Sequence, residues 1–446
     1  EYCNLVGRTV AVTGGCGYVG HRLVCALLEC GVSEVRVLDV TESPESLWTA
    51  LCSSPSDCER VRQLRTRYTE RVRVRVGDVQ SERDVDAVVS GASVVFHVAS
   101  YGMSGSQMLD VERVRGVNLT GTLLVLDTAL RSLETCALVY TSTTNVVFSG
   151  ARALENCDES LPYAEDQCDM YSRTKRIAEA MVLEYSGRLP DAAVHIVPRT
   201  CAETFAESSN SSCAEAAGAA VARPLYTVAL RAAGIYGEGE TRHFPRIASL
   251  LEKNLVHFTI GGLDTLVEWV HVDNLVHAHL LAADKLLALH REEPIHPSPP
   301  APAGRPYFIS DCQPINQYEF LRPFIAAHER PFPRIHLPVW LMYGLAWLIE
   351  VVHRIVNPWL PFSPFLTRAE VLKVSVTHYF DPAKPRAELG YRPLVAPDEG
   401  VRRMVSYFGD AYQQRKQKRR KQGSAIWWIA FAVIVALALL LRYLFS

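Results

Sequence analysis

Val10–Gly20 reads VAVTGGCGYVG. Val10, Ala11 and Val12 make a short apolar run of the kind that forms a buried strand. The run breaks at Thr13–Gly14, passes through Gly14, Gly17 and Gly20, and enters a helical pattern from His21 to Leu28. Strand, glycine turn and helix in this order are the context in which a glycine fingerprint binds a dinucleotide. The first glycine permits the tight turn, the next lets backbone approach a pyrophosphate, and the last lets helix pack on strand. The helix N-terminus then offers its partial positive charge to the phosphates.

The next element sharpens the reading. Glu34–Val40, EVRVLDV, reads as a second strand that reaches Asp39. An acidic residue about 20 positions beyond the glycines is placed to accept hydrogen bonds from an adenosine ribose. Its carboxylate would repel a 2′-phosphate. Glu42 follows, and no basic residue occurs before Arg60, so NAD is favoured over NADP.

Alternation continues downstream. Arg71–Val76, Ser93–Val98 and Ala137–Thr141 read as further strands, with helical patterns over Glu82–Val89 and Met108–Arg131. This argues for an α/β fold of the Rossmann type, a doubly wound parallel sheet with ligand at the carboxyl ends of its strands. Asp78 falls at such an end, suited to an adenine amino group or, more plainly, to a turn. Thr41–Arg67 shows no clear period. Gly187–Pro224, rich in Ala, Ser, Glu and Pro, reads as an insertion that threatens the strand expected at Leu225–Arg231; His296–Gly304 is a proline loop.

The chemistry-bearing pair is Tyr171 and Lys175, one helical turn apart in MYSRTKRIAEAM. This spacing puts both on one helix face. A phenol with pKa near 10 is a weak base at neutral pH, and a neighbouring ammonium favours its ionised form. The fifth strand ends in a hydroxyl run, Thr141, Ser142, Thr143 and Thr144, able to hold a substrate oxygen while Tyr171 exchanges its proton.

Composition limits the partners. The 446 residues carry a formal net charge of -2, which leaves no electrostatic footprint for nucleic acid. The twelve cysteines form no Cys-x-x-Cys pair and have no metal-like spacing with histidine, so they read as reduced thiols and no metal is expected. Cys16 inside the glycine turn reads as a space-filling side chain. Asn118 and Asn210 each begin a glycosylation acceptor, unused if the chain faces the cytosol. The chain starts at Glu1 without a methionine and shows no secretory pattern there.

Ala425–Leu441, AIWWIAFAVIVALALLL, is uninterrupted apolar sequence preceded by the basic run Arg415–Lys421. It reads as a single membrane anchor with the rest of the chain cytosolic, and an endoplasmic reticulum address fits. Leu337–Val352 is a second apolar stretch, broken by Pro338, Gly344 and Glu350. Core helix is its first reading; an interfacial helix or a lid over a lipophilic pocket are the others.

TGGCGYVG, Asp39, VFHVAS, VNLTGT, VYTST and YSRTK together resemble the extended short-chain dehydrogenase/reductases. LRAAGIYGEGE, VEWVHVDNLVHAHLLA, PYFISD and FLTRAEVLKVSVTHYFD resemble the 3β-hydroxysteroid dehydrogenase-like branch, closest to its membrane-anchored family 42E members. The resemblance spans roughly Gly7 to Phe408. It implies an NAD-binding domain over 7–235, completed by 265–290 and 305–311 and interrupted by the insertion 187–224. It also implies a substrate region over 236–264 and 312–408, a basic linker over 409–423 and a transmembrane anchor over 424–446.

The resemblance also assigns roles. Tyr171 is the general acid/base, Lys175 binds nicotinamide ribose and lowers the phenol pKa, Thr143 is the catalytic hydroxyl with Ser142 as its neighbour, and Asn118 supports the lysine. Tyr18, Val19, Val79 and Ala99 join Gly14, Gly17, Gly20, Asp39 and Asp78 around NAD, and Tyr236 touches substrate. Arg231–Ala232 stands where the family has Arg-Pro, which would loosen the segment beside nicotinamide. The implied reaction is NAD-dependent oxidation of a secondary alcohol on a lipophilic substrate, a 3β-hydroxysteroid or sterol, with Leu337–Val352 as the entrance. Many relatives dimerise, and nothing in the residues decides that for this chain. The alternatives are a nucleotide-sugar epimerase or dehydratase of the same fold, and an NAD-binding membrane scaffold with little catalysis.

Overall fold

The computed structural model describes residues 2–43, 45–51, 55–167, 169–190, 223–291, 300–356, 359, 364 and 366–417. The expected anchor over 424–446, the end of the basic linker, the acceptor at Asn210 and the first part of the proline loop lie outside the described residues.

Seven strands form the central sheet: β1 Thr9–Thr13, β2 Glu34–Asp39, β3 Val72–Val76, β4 Val94–His97, β5 Ala137–Thr143, β6 Tyr226–Ala232 and β7 Arg305–Ile309. Their spatial order is β7-β6-β5-β4-β1-β2-β3, with every pairing parallel. The strand order reverses between β1 and β4, where Val12 pairs with Val37 on one side and Phe96 on the other. That reversal opens a crevice at the carboxyl ends.

The apolar runs behave as a sheet covered on both faces requires. Val10, Val12, Val94 and Phe96 enter one core with Leu23 and Leu27 of the helix Tyr18–Glu29. Their neighbours Ala11 and Val95 enter the opposite core with Val85, Leu126 and Ala178. Alternation of side chains along each strand thus divides one hydrophobic run between two layers of helices. β3, an edge strand bearing Arg73 and Arg75, is the least buried of the seven.

Short strands build a second sheet from Leu154–Cys157, Leu266–Val267, Ile315–Asn316 and His378–Phe380. With the helices Phe244–Glu252, Gln317–Ala327 and Arg368–Ser375, these elements supply the second wall of the cleft described below.

Several expectations are revised. Thr41–Arg67 is not structureless: helices run over Glu45–Thr49 and Pro55–Arg71. Nearly half of the second is charged, and among its described side chains Val61, Leu64 and Tyr68, on one face, pack against the core of the body. Trp48 stacks edge-on against both His21 and Tyr68. The helix expected over Met108–Arg131 forms with irregular turns: a 3₁₀ turn at Gly105–Leu109 precedes it, and Val111–Arg115 continues through a π-turn at Gly116–Thr120 into an α-helix at Gly121–Arg131. Asp110 caps the α-turn by accepting from the Arg113 N–H at 3.2 Å. The insertion does not displace β6. Gly187 donates to the Leu225 carbonyl at 2.8 Å and Leu225 donates to that of Arg188 at 2.9 Å, so its two ends are tied together.

Leu337–Val352 is not a core helix. The helix Val339–Val356 buries only Met342, Ala346 and His353. Asn118 is buried, which excludes glycosylation there in the folded chain.

Gly20 is the tightest point of the dinucleotide turn. A Cβ there would lie 2.0 Å from the Gly14 carbonyl oxygen, whereas one at Gly17 would lie 3.4 Å from the same atom. Gly20→Ala is therefore expected to destabilise by about 1–3 kcal/mol in thermal or urea unfolding, with Gly17→Ala nearer to the parent. Equal stabilities for all three proteins would show that helix and turn do not meet at Gly20.

Candidate active site

One cleft, about 720 Å³ in volume, holds the glycine turn, the ends of β2, β4 and β5, and Tyr171. Gly14 enters it with φ +71°, and a side chain there would strike the Ala99 backbone at 2.8 Å. The helix Tyr18–Glu29 starts at Gly17 with no side-chain cap. Its first N–H groups are therefore left for a ligand. Thr13 braces the crevice: its hydroxyl meets His97 Nδ1 at 2.7 Å and accepts from the Ala99 N–H at 3.3 Å. Burial pushes His97 down to about 3, so it stays neutral while its Nε2 meets Thr122 at 2.9 Å.

Gly14, Gly17, Tyr18, Val19, Gly20, Asp39, Asp78, Val79 and Ala99 all line this cleft. Asp39 also works structurally. Its carboxylate accepts from the Cys16 N–H at 2.9 Å and so folds the glycine turn. The Asp78 carboxylate accepts from the Gln80 N–H at 3.0 Å, a turn role that coexists with its place in the wall. Cys16 is buried and is not part of the lining. An uncapped helix start, a glycine that admits no side chain and a carboxylate at the end of β2 fit a dinucleotide without a 2′-phosphate.

The helix Met170–Glu184 brings in the reactive pair. Asp169 caps it, accepting from the Ser172 N–H at 2.7 Å. Tyr171 lines the cleft, as does Thr143, whose Oγ1 accepts from the Asn145 N–H at 3.3 Å. Lys175 lies one turn deeper. Its ammonium donates to the Thr141 carbonyl at 2.6 Å and sits 4.0 Å above the Tyr140 ring. Lys175 is not part of the cleft lining.

Two electrostatic expectations change accordingly. Burial pushes the Tyr171 phenol up to about 12, and the cation that draws it down is Arg242, not Lys175. Burial pulls Lys175 down from 10.5 to about 7, against an upward pull from Glu179. Arg242 lines the cleft and carried no signal in the sequence.

Asn118 joins two parts of the site. Its amide brackets the Tyr101 backbone, accepting at 2.9 Å and donating at 3.0 Å, and donates to the Thr174 hydroxyl at 3.0 Å. The π-turn around it turns the side chain inward; such turns recur at functional sites.

Ser142 and Tyr236 are placed otherwise than expected. Ser142 borders the cleft, but its hydroxyl donates to the buried Glu179 carboxylate. Tyr236 lies in an aromatic core with Phe244 and Phe320, its hydroxyl donating to Asp311 at 2.7 Å, away from the cleft. Strand alternation accounts for Ser142, which points opposite to Thr141 and Thr143.

Glu179, two turns beyond Tyr171, accepts from Arg231 Nε and Nη2 at 2.9 and 2.7 Å and from the Tyr163 hydroxyl at 2.9 Å. Ala232 is the last residue of β6 and pairs there with Thr143 and Ile309. A wider groove of about 1280 Å³, lined by Arg22, Asp273 and Arg403, contains neither the glycine turn nor Tyr171.

The buried ammonium has a stability consequence. Below about pH 7 the folded chain must hold Lys175 charged without water, and stability rises as pH climbs from there toward the ordinary lysine value. Lys175→Met is expected to raise the unfolding temperature at pH 7 and to flatten that rise. An unfolding temperature below the parent's at neutral pH would contradict the desolvation argument.

The chain matches the 3-beta hydroxysteroid dehydrogenase/isomerase family over residues 11–202 and 194–339. It is 38% identical over 435 residues to short-chain dehydrogenase/reductase family 42E member 1 of Xenopus laevis, covering 97% of this chain and 96% of that one. It is 28% identical over 411 residues to the mouse (Mus musculus) sterol-4-alpha-carboxylate 3-dehydrogenase, decarboxylating, covering 92% of this chain and 93% of that one. A dTDP-glucose 4,6-dehydratase from Streptomyces venezuelae, solved with NAD bound, superposes with a TM-score of 0.59 at 18% identity, covering 90% of this chain and 97% of that one. Fold, cleft and sequence agree: the chain belongs to the 3-beta hydroxysteroid dehydrogenase/isomerase family.

Proposed function

We infer that the chain is an NAD-dependent oxidoreductase that oxidises a secondary alcohol on a lipophilic, sterol-like molecule. The observation that carries this reading is that Tyr171, buried, and Thr143 line the same cleft as the glycine turn and Asp39. The family match and the named activity of the mouse relative support it. Ile247, Leu250, Ile260, Val267, Leu321 and Leu366 give the cleft an apolar wall suited to a hydrocarbon skeleton rather than a sugar nucleotide.

Gly14, Gly17, Gly20, Asp39 and Ala99 would hold the dinucleotide. Bound nicotinamide would supply the acceptor for the hydride that leaves the carbinol carbon. Thr143 donates its hydroxyl proton to the substrate oxygen and fixes it against Tyr171. Tyr171, as phenolate, accepts the hydroxyl proton. Arg242 favours that anion through its charge. Lys175 holds the end of β5 through the Thr141 carbonyl, and Asn118 holds Tyr101 and Thr174. Proton transfer by a positioned base contributes roughly 100- to 10,000-fold. The walls contribute orientation.

Tyr171→Phe is expected to lower sterol oxidation by roughly that 100- to 10,000-fold while calorimetric NAD binding persists. Unchanged turnover removes the assignment. Intact NAD binding with no turnover of any sterol by the parent chain would favour a scaffold.

Arg242 favours a second, narrower reading, in which the substrate carries a carboxylate on the carbon next to the alcohol. Oxidation then yields a β-keto acid. Breaking its carbon–carboxylate bond releases carbon dioxide and leaves an enol that reprotonates to the ketone. The mouse relative's name describes chemistry of this kind. Under this reading Arg242→Gln raises KM for a 4-carboxylated 3β-hydroxysterol by roughly tenfold or more and leaves KM for the uncarboxylated sterol near the parent value. Equal effects on both substrates would reject it.

A further inference from the structure

The cleft lining holds the cations Arg113, Arg242, Arg246 and Lys373 and the acids Asp39, Asp78, Glu240, Glu268 and Glu370. Each acid already has work elsewhere. Asp39 and Asp78 hold turns in the dinucleotide half. Glu240 commits both oxygens to the start of the helix Phe244–Glu252, accepting from the N–H of Arg242 at 2.6 Å and from those of His243 and Phe244 at 2.8 Å. Glu268 accepts from the Phe380 N–H at 3.1 Å, and burial pushes it up to about 7. Glu370 pairs with Arg246 and accepts from the Thr367 N–H at 2.9 Å.

Arg242 and Lys373 are left over. Both are half-buried, and neither side chain makes a hydrogen bond or ion pair with another described residue. The two share a neighbour in His243. Burial, then Lys373, Arg242 and Arg246, pull that imidazole down to about 4, against an upward pull from Glu370. Burial holds His378 at about 4 as well, and Lys373 presses on it in the same direction. Both imidazoles line the cleft and are neutral at physiological pH. The ammonium of Lys373 therefore stands among uncharged rings rather than carboxylates. A guanidinium, an ammonium and an imidazole N–H occupy one neighbourhood, and all three can donate.

Two unanswered cations in a half-buried site repel each other more strongly than they would in water. An oxyanion near both relieves that repulsion and gains charge-assisted hydrogen bonds. The surroundings say what carries the anion. Ile247 and Leu250 follow His243 along its helix, Val374 follows Lys373, and Leu366 lies just before the same helix; all four line the cleft. An inorganic ion would leave this apolar wall unused, whereas an anion borne on a hydrocarbon skeleton uses wall and charge together.

We propose that Lys373 and His243, with Arg242 at the edge, form an oxyanion seat in the substrate cleft, and that the substrate is a sterol-like alcohol carrying a sulfate or carboxylate group remote from the carbon being oxidised. Remoteness follows from which cation acts on the phenol. Arg242 draws the Tyr171 proton down, and Lys373 is not among the groups that act on Tyr171. An anion that neutralised Arg242 would withdraw support from the phenolate, so Lys373 is the better counter-ion for a bound conjugate. The anion contact stands on the cleft itself; the skeleton and the reacting alcohol rest on the oxidoreductase reading above.

The test uses the full chain in detergent with NADH bound and three ligands built on one 3β-hydroxysteroid: its D-ring alcohol, the sulfate ester of that alcohol, and the hemisuccinate of that alcohol. Calorimetry measures binding, and initial rates with NAD measure KM. At least one of the two anionic ligands is expected to bind roughly tenfold or more tightly than the uncharged alcohol. Sulfate ahead of hemisuccinate assigns a sulfate, and the reverse order a carboxylate. Lys373→Gln is expected to bring the ratio of charged to uncharged affinity close to one, and Lys373→Arg to keep it. A 4-carboxylated sterol, whose charge lies beside the alcohol, is expected to respond to Arg242→Gln and not to Lys373→Gln.

Equal binding of all three ligands by the parent chain overturns the proposal, as does an equal loss of all three in Lys373→Gln. A loss of NAD affinity in Lys373→Gln as large as the loss of conjugate would also overturn it, by giving the cations to the dinucleotide phosphates. Conjugate binding that depends on Lys373, together with no oxidation of any of the ligands, leaves the seat standing and defeats the oxidoreductase reading instead.

Discussion

A carboxylate with no exposed surface joins the reactive helix to the sheet. Glu179 receives Arg231 from β6, Ser142 from β5 and the Tyr163 hydroxyl, and it lies on the same helix as Tyr171 and Lys175. A buried carboxylate is tolerated only when it is paired and hydrogen-bonded. Once those partners are in place, the helix can neither slide along the sheet nor rotate against it. The depth of Lys175 and the direction of Tyr171 follow from that fastening. So does the engagement of Ser142; with Thr141 bonded to His279, Thr143 remains as the β5 hydroxyl in the cleft.

Much of the sheet was legible because its strands are continuous apolar runs between turn residues. Val10–Val12, Val94–His97 and Ala137–Thr141 needed no partner to be recognised, since a strand covered on both faces has few alternatives. The glycine turn was legible for a steric reason: Gly14 and Gly20 sit where backbone meets backbone. Other elements were hidden. The helix Pro55–Arg71 sets its three core contacts, Val61, Leu64 and Tyr68, among eight charged residues, so the apolar period was diluted. The π-turn around Asn118 carries a side chain that bonds the backbone of Tyr101, a contact between segments no local pattern contains.

The site divides in the same way. Tyr171 and Lys175 are a local pair, one turn apart on a single helix, so spacing placed them on one face. Their electrostatics are not local. Burial, not mutual attraction, dominates both groups, and Arg242 arrives from a segment some seventy residues away in the chain. Tyr236 was assigned to substrate by resemblance, but the aromatic packing of Phe244 and Phe320 and the hydrogen bond to Asp311 draw it into the core.

Residue order by itself determined the strand alternation, the dinucleotide turn, the acidic end of β2 and the tyrosine–lysine pair. Each is encoded within a few residues by backbone sterics, hydrophobic period or helical spacing. Tertiary structure decided which hydroxyl faces the cleft, which cation sits near the phenol, that Gly187 and Arg188 are tied to Leu225, and which face of Val339–Val356 stays uncovered. These depend on desolvation and on contacts between distant segments. Such terms come into being only when the chain has closed on itself.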